Sequence, residues 1–379
     1  MLIKDLPTPH LLLDRRKMER NLVRMRDRAA ELGVRLRPHG KTAKSAEVVR
    51  RAVGDGPLAV TVSTLREARY FADCGIRDIV LAVCIAPNRL AEAAELLREG
   101  VDFAVTIDSP AVAAEIVRAG GEFEVRFAVM LEVDVGEHRG GAAPDSDELL
   151  AAARILHDGG MEVRGVLAHA GHTYGCTEPD AVAAIAEAER AGAVAAASRI
   201  RDAGIPCREV SVGSTPGALF ARHLEGVTEF RPGVYMFMDL FQAGVGCCGL
   251  EDIALTVLST VINHRPAQGT AHIDAGALAL SKDRSTATQP HDRGYGLVTD
   301  VHGLPHPGLT VDAVHQEHGR LAGPGGVPFA VLPIGSRLRV LPNHVCMTAA
   351  MYERYAVVDG TELGDMQPVE AFWDRVNGW

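Results

Sequence analysis

Long apolar runs are missing from this sequence. The best candidate, Ile79 to Pro87, is about half of the roughly 18 residues a membrane span requires, so no membrane helix is expected. Positive charge is in short supply: 39 Lys and Arg stand against 49 Asp and Glu, a formal net charge of −10, which excludes a nucleic-acid binder that works by bulk charge. A paired cysteine framework is lacking as well. There are 7 cysteines, and Cys247 and Cys248 are neighbours, a poor geometry for bridging each other. The chain therefore reads as reduced and cytoplasmic, with six of its cysteines acting as small buried hydrophobes. Around the N-terminus, Pro7, Pro9 and Asp5 stand where a signal peptide needs a basic start and an unbroken apolar stretch, so secretion is not expected.

What is present is ordinary globular material, 47% hydrophobic and 23% charged. From about residue 14 to 240, short β-rich runs alternate with Ala-, Leu- and Glu-rich stretches of helical period. The strands are read as Val34–Arg37, Leu58–Val62, Asp78–Val83, Asp102–Thr106, Glu124–Glu132, Glu162–His169, Glu209–Val212 and Thr228–Arg231. Eight βα units, with no GxGxxG after the first strand, fit a (β/α)8 TIM-type barrel better than the alternative, an open α/β sheet. Beyond residue 245 strand-like segments are divided by Gly, Pro, Asp and Asn turns, which predicts a mostly β C-terminal domain. The expected division is 1–244 and 245–379, with the first residues free to pair with the second domain.

In such a barrel the chemistry lies at the C-terminal ends of the strands, and the loops after strands seven and eight commonly hold a phosphate. Those loops carry Gly213-Ser214-Thr215-Pro216 and Arg231-Pro232-Gly233-Val234-Tyr235, where glycine lets backbone N–H groups approach an anion. The same tetrapeptide also reads as a plain helix start with its cap. After the first strand, Gly40-Lys41-Thr42 places a lysine at the mouth. Cations at Arg37, Arg139 and Lys44 should depress its pKa and leave an amine fit for a Schiff base, although an arbitrary lysine is usually a solvated charge. A phosphate and an inward lysine together suggest pyridoxal phosphate. In the second domain His344-Val345-Cys346 falls in a strand-like segment, where residues i and i+2 share a face. Imidazole and thiolate there suit one metal ion, or simply a packed pair.

These residues, together with Arg37-Pro38-His39-Gly40-Lys41-Thr42, His169-Ala170-Gly171-His172-Thr173-Tyr174, Asp274-Ala275-Gly276, Glu317-His318-Gly319 and Pro342-Asn343-His344-Val345-Cys346, resemble the D-threonine aldolase and D-serine dehydratase family. That family is the metal-dependent branch of the alanine-racemase-like pyridoxal phosphate enzymes, and the resemblance runs from about residue 7 to 358. It implies a homodimer of barrel and β domain acting on a small D-amino acid, with the active site at their junction. It implies that Lys41 carries the cofactor, that Arg139 faces the pyridine nitrogen and that Tyr174 contacts the cofactor. Gly213, Ser214, Thr215, Gly233, Val234 and Tyr235 would hold the phosphate, and His344 and Cys346 the divalent metal. Gly217 stands where the family often has Thr.

The implied chemistry forks. Loss of the Cα proton to Lys41, with the metal drawing off the β-hydroxyl, makes a dehydratase that yields a 2-oxo acid and ammonia. Deprotonation of the hydroxyl by His169 or His172 makes an aldolase instead. The resemblance associates a Cys after His-x with the zinc-type D-serine dehydratases and an Asp with the aldolases. Thiolate favours zinc over manganese or magnesium, so the expected function is D-serine dehydration. The alternatives are D-threonine aldolase and D-3-hydroxyaspartate dehydratase or aldolase; more remote are an amino-acid racemase and a non-catalytic cofactor carrier.

Overall fold

A computed structural model describes all 379 residues. The chain divides into two compact units, one of residues 24–233 with 378–379, the other of 1–23 with 234–377. The exchange of the first residues follows from strand pairing. β1 (His10–Asp14) is antiparallel to a strand that begins at Leu255 and parallel to one at Arg354–Val358, so its apolar Leu11-Leu12-Leu13 is buried in the β unit.

The barrel unit contains eight parallel strands, β2 (Arg35–Leu36), β3 (Ala59–Val62), β4 (Asp78–Cys84), β5 (Asp102–Ile107), β6 (Ala128–Val133), β7 (Glu162–Ala168), β8 (Glu209–Val212) and β9 (Glu229–Phe230). Their order is β2-β9-β8-β7-β6-β5-β4-β3, and a parallel bridge between His39 and Thr61 joins the two ends of the curl. The intervening helices start where the sequence places their caps: Thr64, Ser109 and Ser146 each accept the N–H three residues on. The strands are mostly shorter than the reading above, and the largest shift is at β6, read from Glu124: the preceding helix runs from Pro110 to Phe123 and stops at Glu124 in the left-handed region, so β6 starts four residues later. Gly120 is a packing residue there, since a Cβ would stand 2.5 Å from Met161 Cε.

Inward side chains alternate along each strand. Val80, Ala104, Ala128, Met130 and Leu167, from four neighbouring strands, pack together as an apolar cluster. Near the N-terminal ends Arg37, fully buried, has Nε 2.9 Å from Glu229 Oε2 and Nη1 2.5 Å from Asp78 Oδ1, while Arg35 Nη2 is 2.5 Å from Glu229.

The β unit holds a nine-stranded sheet. After β1 it comprises β10 (Leu255–Arg265), β11 (Thr270–Ile273), β12 (Gly296–Thr299), β13 (Pro305–Val314), β14 (Gly319–Ala322), β15 (Arg337–Pro342), β16 (Arg354–Val358) and β17 (Val369–Asp374). Because β10 pairs with both β11 and β15, the strands β10-β11-β14-β13-β12-β15 close into a six-stranded ring. The motifs Asp274-Ala275-Gly276 and Glu317-His318-Gly319 meet in this unit as backbone against backbone. A Cβ at Gly276 would stand 2.4 Å from the His318 nitrogen, and one at Gly319 2.4 Å from the Ala275 carbonyl. Asp274 accepts from Ser259 Oγ, the Thr260 N–H and Thr8 Oγ1, which pins the N-terminal segment to β10. Of the cysteines only Cys207 and Cys247 are buried; the other five are partly accessible, which corrects the expectation that six would be.

Candidate active site

The barrel mouth gathers most of the residues picked out in that unit. Lys41 lies in the turn after β2 with its side chain exposed, and its charge reaches the buried imidazole of His39 and the partly buried one of His169. Gly233, after β9, packs on this turn: a Cβ there would stand 2.9 Å from the His39 carbonyl and 3.1 Å from Thr42 Oγ1. His169, at the end of β7, has Nδ1 2.6 Å from the Gly213 carbonyl. A carbonyl only accepts, so Nδ1 carries the proton and Nε2 keeps its lone pair. Burial, assisted by the charges of Lys41, Arg139 and Arg231 and opposed by the Gly213 bond, holds this imidazole down to about 3. His169 is therefore neutral and a weak base.

The turn Gly171–Gly175 carries His172 and Tyr174 and is tied to the next loop by Thr173 Oγ1, 3.2 Å from Ser214 Oγ. His172 Nδ1 is buried and meets no protein partner. Gly213 has φ +139°, and its Cβ would lie 2.6 Å from the Arg231 nitrogen, so glycine is required where the two loops converge. Ser214 then caps the short helix Thr215–Phe220 by accepting the Gly217 N–H. Val234 and Tyr235 are buried in a single 3-10 turn at the start of the β unit's long segment.

Two of the cations expected to act on Lys41 are already committed. Arg37 is neutralised by Glu229 and Asp78 below the mouth, and Lys44 Nζ is 3.1 Å from the buried Glu67. Arg139 remains at the mouth, half-exposed, 3.6 Å from Glu132 and 3.8 Å from Glu137. Glu132 also accepts from the Cys84 thiol and groups with Asp108, so the positive charge beside these carboxylates is the guanidinium of Arg139. Sequence reasoning gave no role to Arg231. It is buried, donating to Ser211 Oγ and to the Ala168 carbonyl, and its charge reaches both mouth histidines.

In the β unit His344 and Cys346 are not on a strand. β15 ends at Pro342, and His344 is the residue before a five-residue helix, Val345–Ala349. Two side chains force this turn: Asp239 accepts the Val345 N–H at 2.9 Å, and the buried Asn343 is held by Thr286 and the Gly294 carbonyl. The two ligand candidates nevertheless touch, with the imidazole hydrogen-bonded to the thiol. Asp283 Oδ2 lies 2.9 Å from His344 Nδ1, which leaves Nε2 for a ligand. Burial opposes the imidazole's charge, but Cys346, Asp283 and Asp239 together lift it to about 11.

The donors fit the groups that the sequence suggested. A borderline cation is suited by imidazole and thiolate backed by a carboxylate, and an anionic aldehyde cofactor by an amine with glycine-lined loops, hydroxyls, an orphaned imidazole nitrogen and buried guanidinium.

Residues 13–240 match the alanine racemase N-terminal domain model and residues 254–358 the serine dehydratase domain model. The chain belongs to the D-serine dehydratase and D-threonine aldolase family of fold-type III pyridoxal phosphate enzymes. It is 47% identical to D-threo-3-hydroxyaspartate dehydratase of Delftia sp., over 99% of this chain and 98% of that one. It is 30% identical to D-serine dehydratase of Dictyostelium discoideum, over 98% and 97% of the two chains. Among solved structures, a cysteine-to-alanine variant of D-threo-3-hydroxyaspartate dehydratase in metal-free form superposes with a TM-score of 0.96 at 45% identity, covering 100% of both chains. This family membership makes the chain a pyridoxal phosphate-dependent lyase of D-hydroxy amino acids. No helix is long and apolar enough to cross a membrane.

Proposed function

We propose that this chain dehydrates a D-3-hydroxyaspartate, giving the corresponding 2-oxo diacid and ammonia. The observation that carries the reading is the full-length likeness, at 47% identity, to a D-threo-3-hydroxyaspartate dehydratase. It favours the diacid, an alternative in the sequence reading, over D-serine, whose dehydratase is matched at 30%. The dehydratase branch is supported by the His344–Cys346 pair, since a thiolate selects zinc or a similar borderline ion, and by the existence of a metal-free cysteine variant of so similar a protein.

When bound, pyridoxal phosphate supplies the electron sink that loosens the bonds at Cα, and the metal the Lewis acidity that makes the β-hydroxyl a better leaving group. Lys41 would carry the cofactor, and its Nζ would accept the Cα proton. Gly213, Ser214, Thr215 and the segment Gly233–Tyr235 would hold the phosphate, and Tyr174 would contact the cofactor. His344 and Cys346 would hold the metal, with Asp283 orienting the imidazole. Arg139 would be the cation toward the cofactor ring, where a positive charge disfavours protonation of the ring nitrogen. His169 is a poor candidate for the aldolase base, since its Nε2 is weakly basic; His172, with its buried partnerless Nδ1, is the stronger of the two.

The test is to incubate the purified protein with D-threo-3-hydroxyaspartate, D-serine and D-threonine, with and without chelator, and identify the products. Ammonia and the 2-oxo diacid, formed fastest from the diacid and suppressed by chelator, are expected. Pyruvate from D-serine as the fastest product would move the substrate back to D-serine, and glycine with an aldehyde would replace the dehydratase by an aldolase.

A further inference from the structure

The helix Pro179–Asp202 packs an alanine-rich stripe on the barrel, and in the middle of it, between Ala186 and Ala193, stands a glutamate. Glu189 is buried, 2% exposed, on a face that an apolar side chain would fill at far lower cost. Its Oε1 accepts the Ala170 N–H at 3.1 Å and the Gly213 N–H at 3.0 Å. Ala170 opens the turn that carries His172, Thr173 and Tyr174, and Gly213 opens the loop Ser214-Thr215.

We propose that Glu189 is the positioning residue of the phosphate cradle, one buried carboxylate oxygen locking the loop after β7 to the loop after β8. Both amides are taken up by that oxygen, and the Thr173–Ser214 contact ties the same two loops a second time, so the turn bearing the orphaned nitrogen of His172 is fixed against the Ser214 loop. At Gly217 a Cβ would stand 3.0 Å from Ser214 Oγ, so the bare glycine keeps clear the hydroxyl that caps this helix, while Glu189 Oε2 at 3.5 Å would be in ordinary contact. Burial pushes the carboxyl up to about 7, against the pull of the two N–H groups and Arg231, and in either protonation state an oxygen remains to accept.

The inference rests on the pyridoxal phosphate reading and is tested by titrating the full-length apoprotein with pyridoxal phosphate and, separately, with pyridoxal, which lacks the phosphate. The visible absorbance of the lysine adduct is the readout. In Glu189→Met two buried N–H groups lose their acceptor, so affinity for pyridoxal phosphate is expected to fall by about 10- to 100-fold while that for pyridoxal changes less than about 3-fold. Glu189→Gln keeps an acceptor oxygen and should restore the phosphate preference. Should Glu189→Met fail to fold by circular dichroism, Glu189→Asp, one methylene too short to reach both amides, should show the same selective loss at about 10-fold. An unchanged ratio of the two affinities in Met or Asp overturns the proposal. If the wild-type protein forms no borohydride-reducible adduct at Lys41, the cofactor reading itself fails, a separate outcome.

Discussion

The two units treat their histidines in opposite ways. At the barrel mouth burial, aided by the charges of Lys41 and Arg231, holds His39 and His169 neutral. In the β unit His344 sits among Cys346, Asp283 and Asp239 and is held charged. Burial alone would neutralise a histidine in either place; what differs is the local field, cations adding to burial at the mouth and a thiol with two carboxylates overriding it at His344. The lysine and guanidinium groups at the mouth are donors for an anionic group, and the imidazole, thiol and carboxylate around His344 suit a cation.

The comparison breaks most completely at Lys41. Lys41→Ala should reduce turnover by on the order of 10³-fold or more and abolish borohydride labelling, because carrier and proton acceptor are lost together. Next comes the orientation of His344: Asp283→Asn should weaken metal binding by about 10- to 100-fold, measured by competition with a chromophoric chelator. Unchanged affinity would remove Asp283 from the site. A third test asks whether Arg37 belongs to the mouth's field or to the barrel's foundations. Arg37→Met leaves the buried Glu229 short of its partner and should cost about 3 kcal/mol in urea unfolding. Cofactor affinity should be unaffected in the fraction that remains folded.

The smallest effect is that of pH on the barrel. His169 is held at about 3 and Glu229 at about 2, both below their unfolded values. In those windows the unfolded chain binds more protons than the folded one, so their stability, complete above about 6.5 and 4.5, is lost as pH falls. Glu189, lifted to about 7, works the other way: its contribution is complete below about 4.5 and lost as pH rises through 7. Between about pH 7 and pH 4 the His169 and Glu189 contributions oppose each other and nearly cancel, so the melting midpoint should change by no more than about 2 degrees. Glu189→Gln, which removes the opposing contribution, should turn this into a fall of about 5 degrees.

Much of the barrel was legible because strand ends in this architecture converge, so reading the few residues at and just beyond each apolar run picked out Lys41, His169, Gly213 and Gly233 without any knowledge of contacts. The strand that the spacing of His344 and Cys346 predicts is not there, although the two side chains do meet. Asp239 and Asn343, distant or silent in the local pattern, bend His344 and Cys346 off the strand, and a helix start brings them together instead. Glu189 had a readable signal, a lone carboxylate in an alanine stripe at helical spacing. Asp283 had none, because 61 residues separate it from His344 and nothing in Ser281-Lys282-Asp283-Arg284 points back to it. Arg37 was misread as lining the mouth because its carboxylate partners lie on other strands.

The most direct test of the two-field account is the occupancy of two variants, with metal measured by elemental analysis and cofactor by visible absorbance. Lys41→Ala should keep the metal and lose the covalent cofactor, and Cys346→Ala should lose the metal and keep the cofactor. A Cys346→Ala protein with its metal intact, or a metal displaced instead by Cys84→Ala at the barrel mouth, would contradict the assignment.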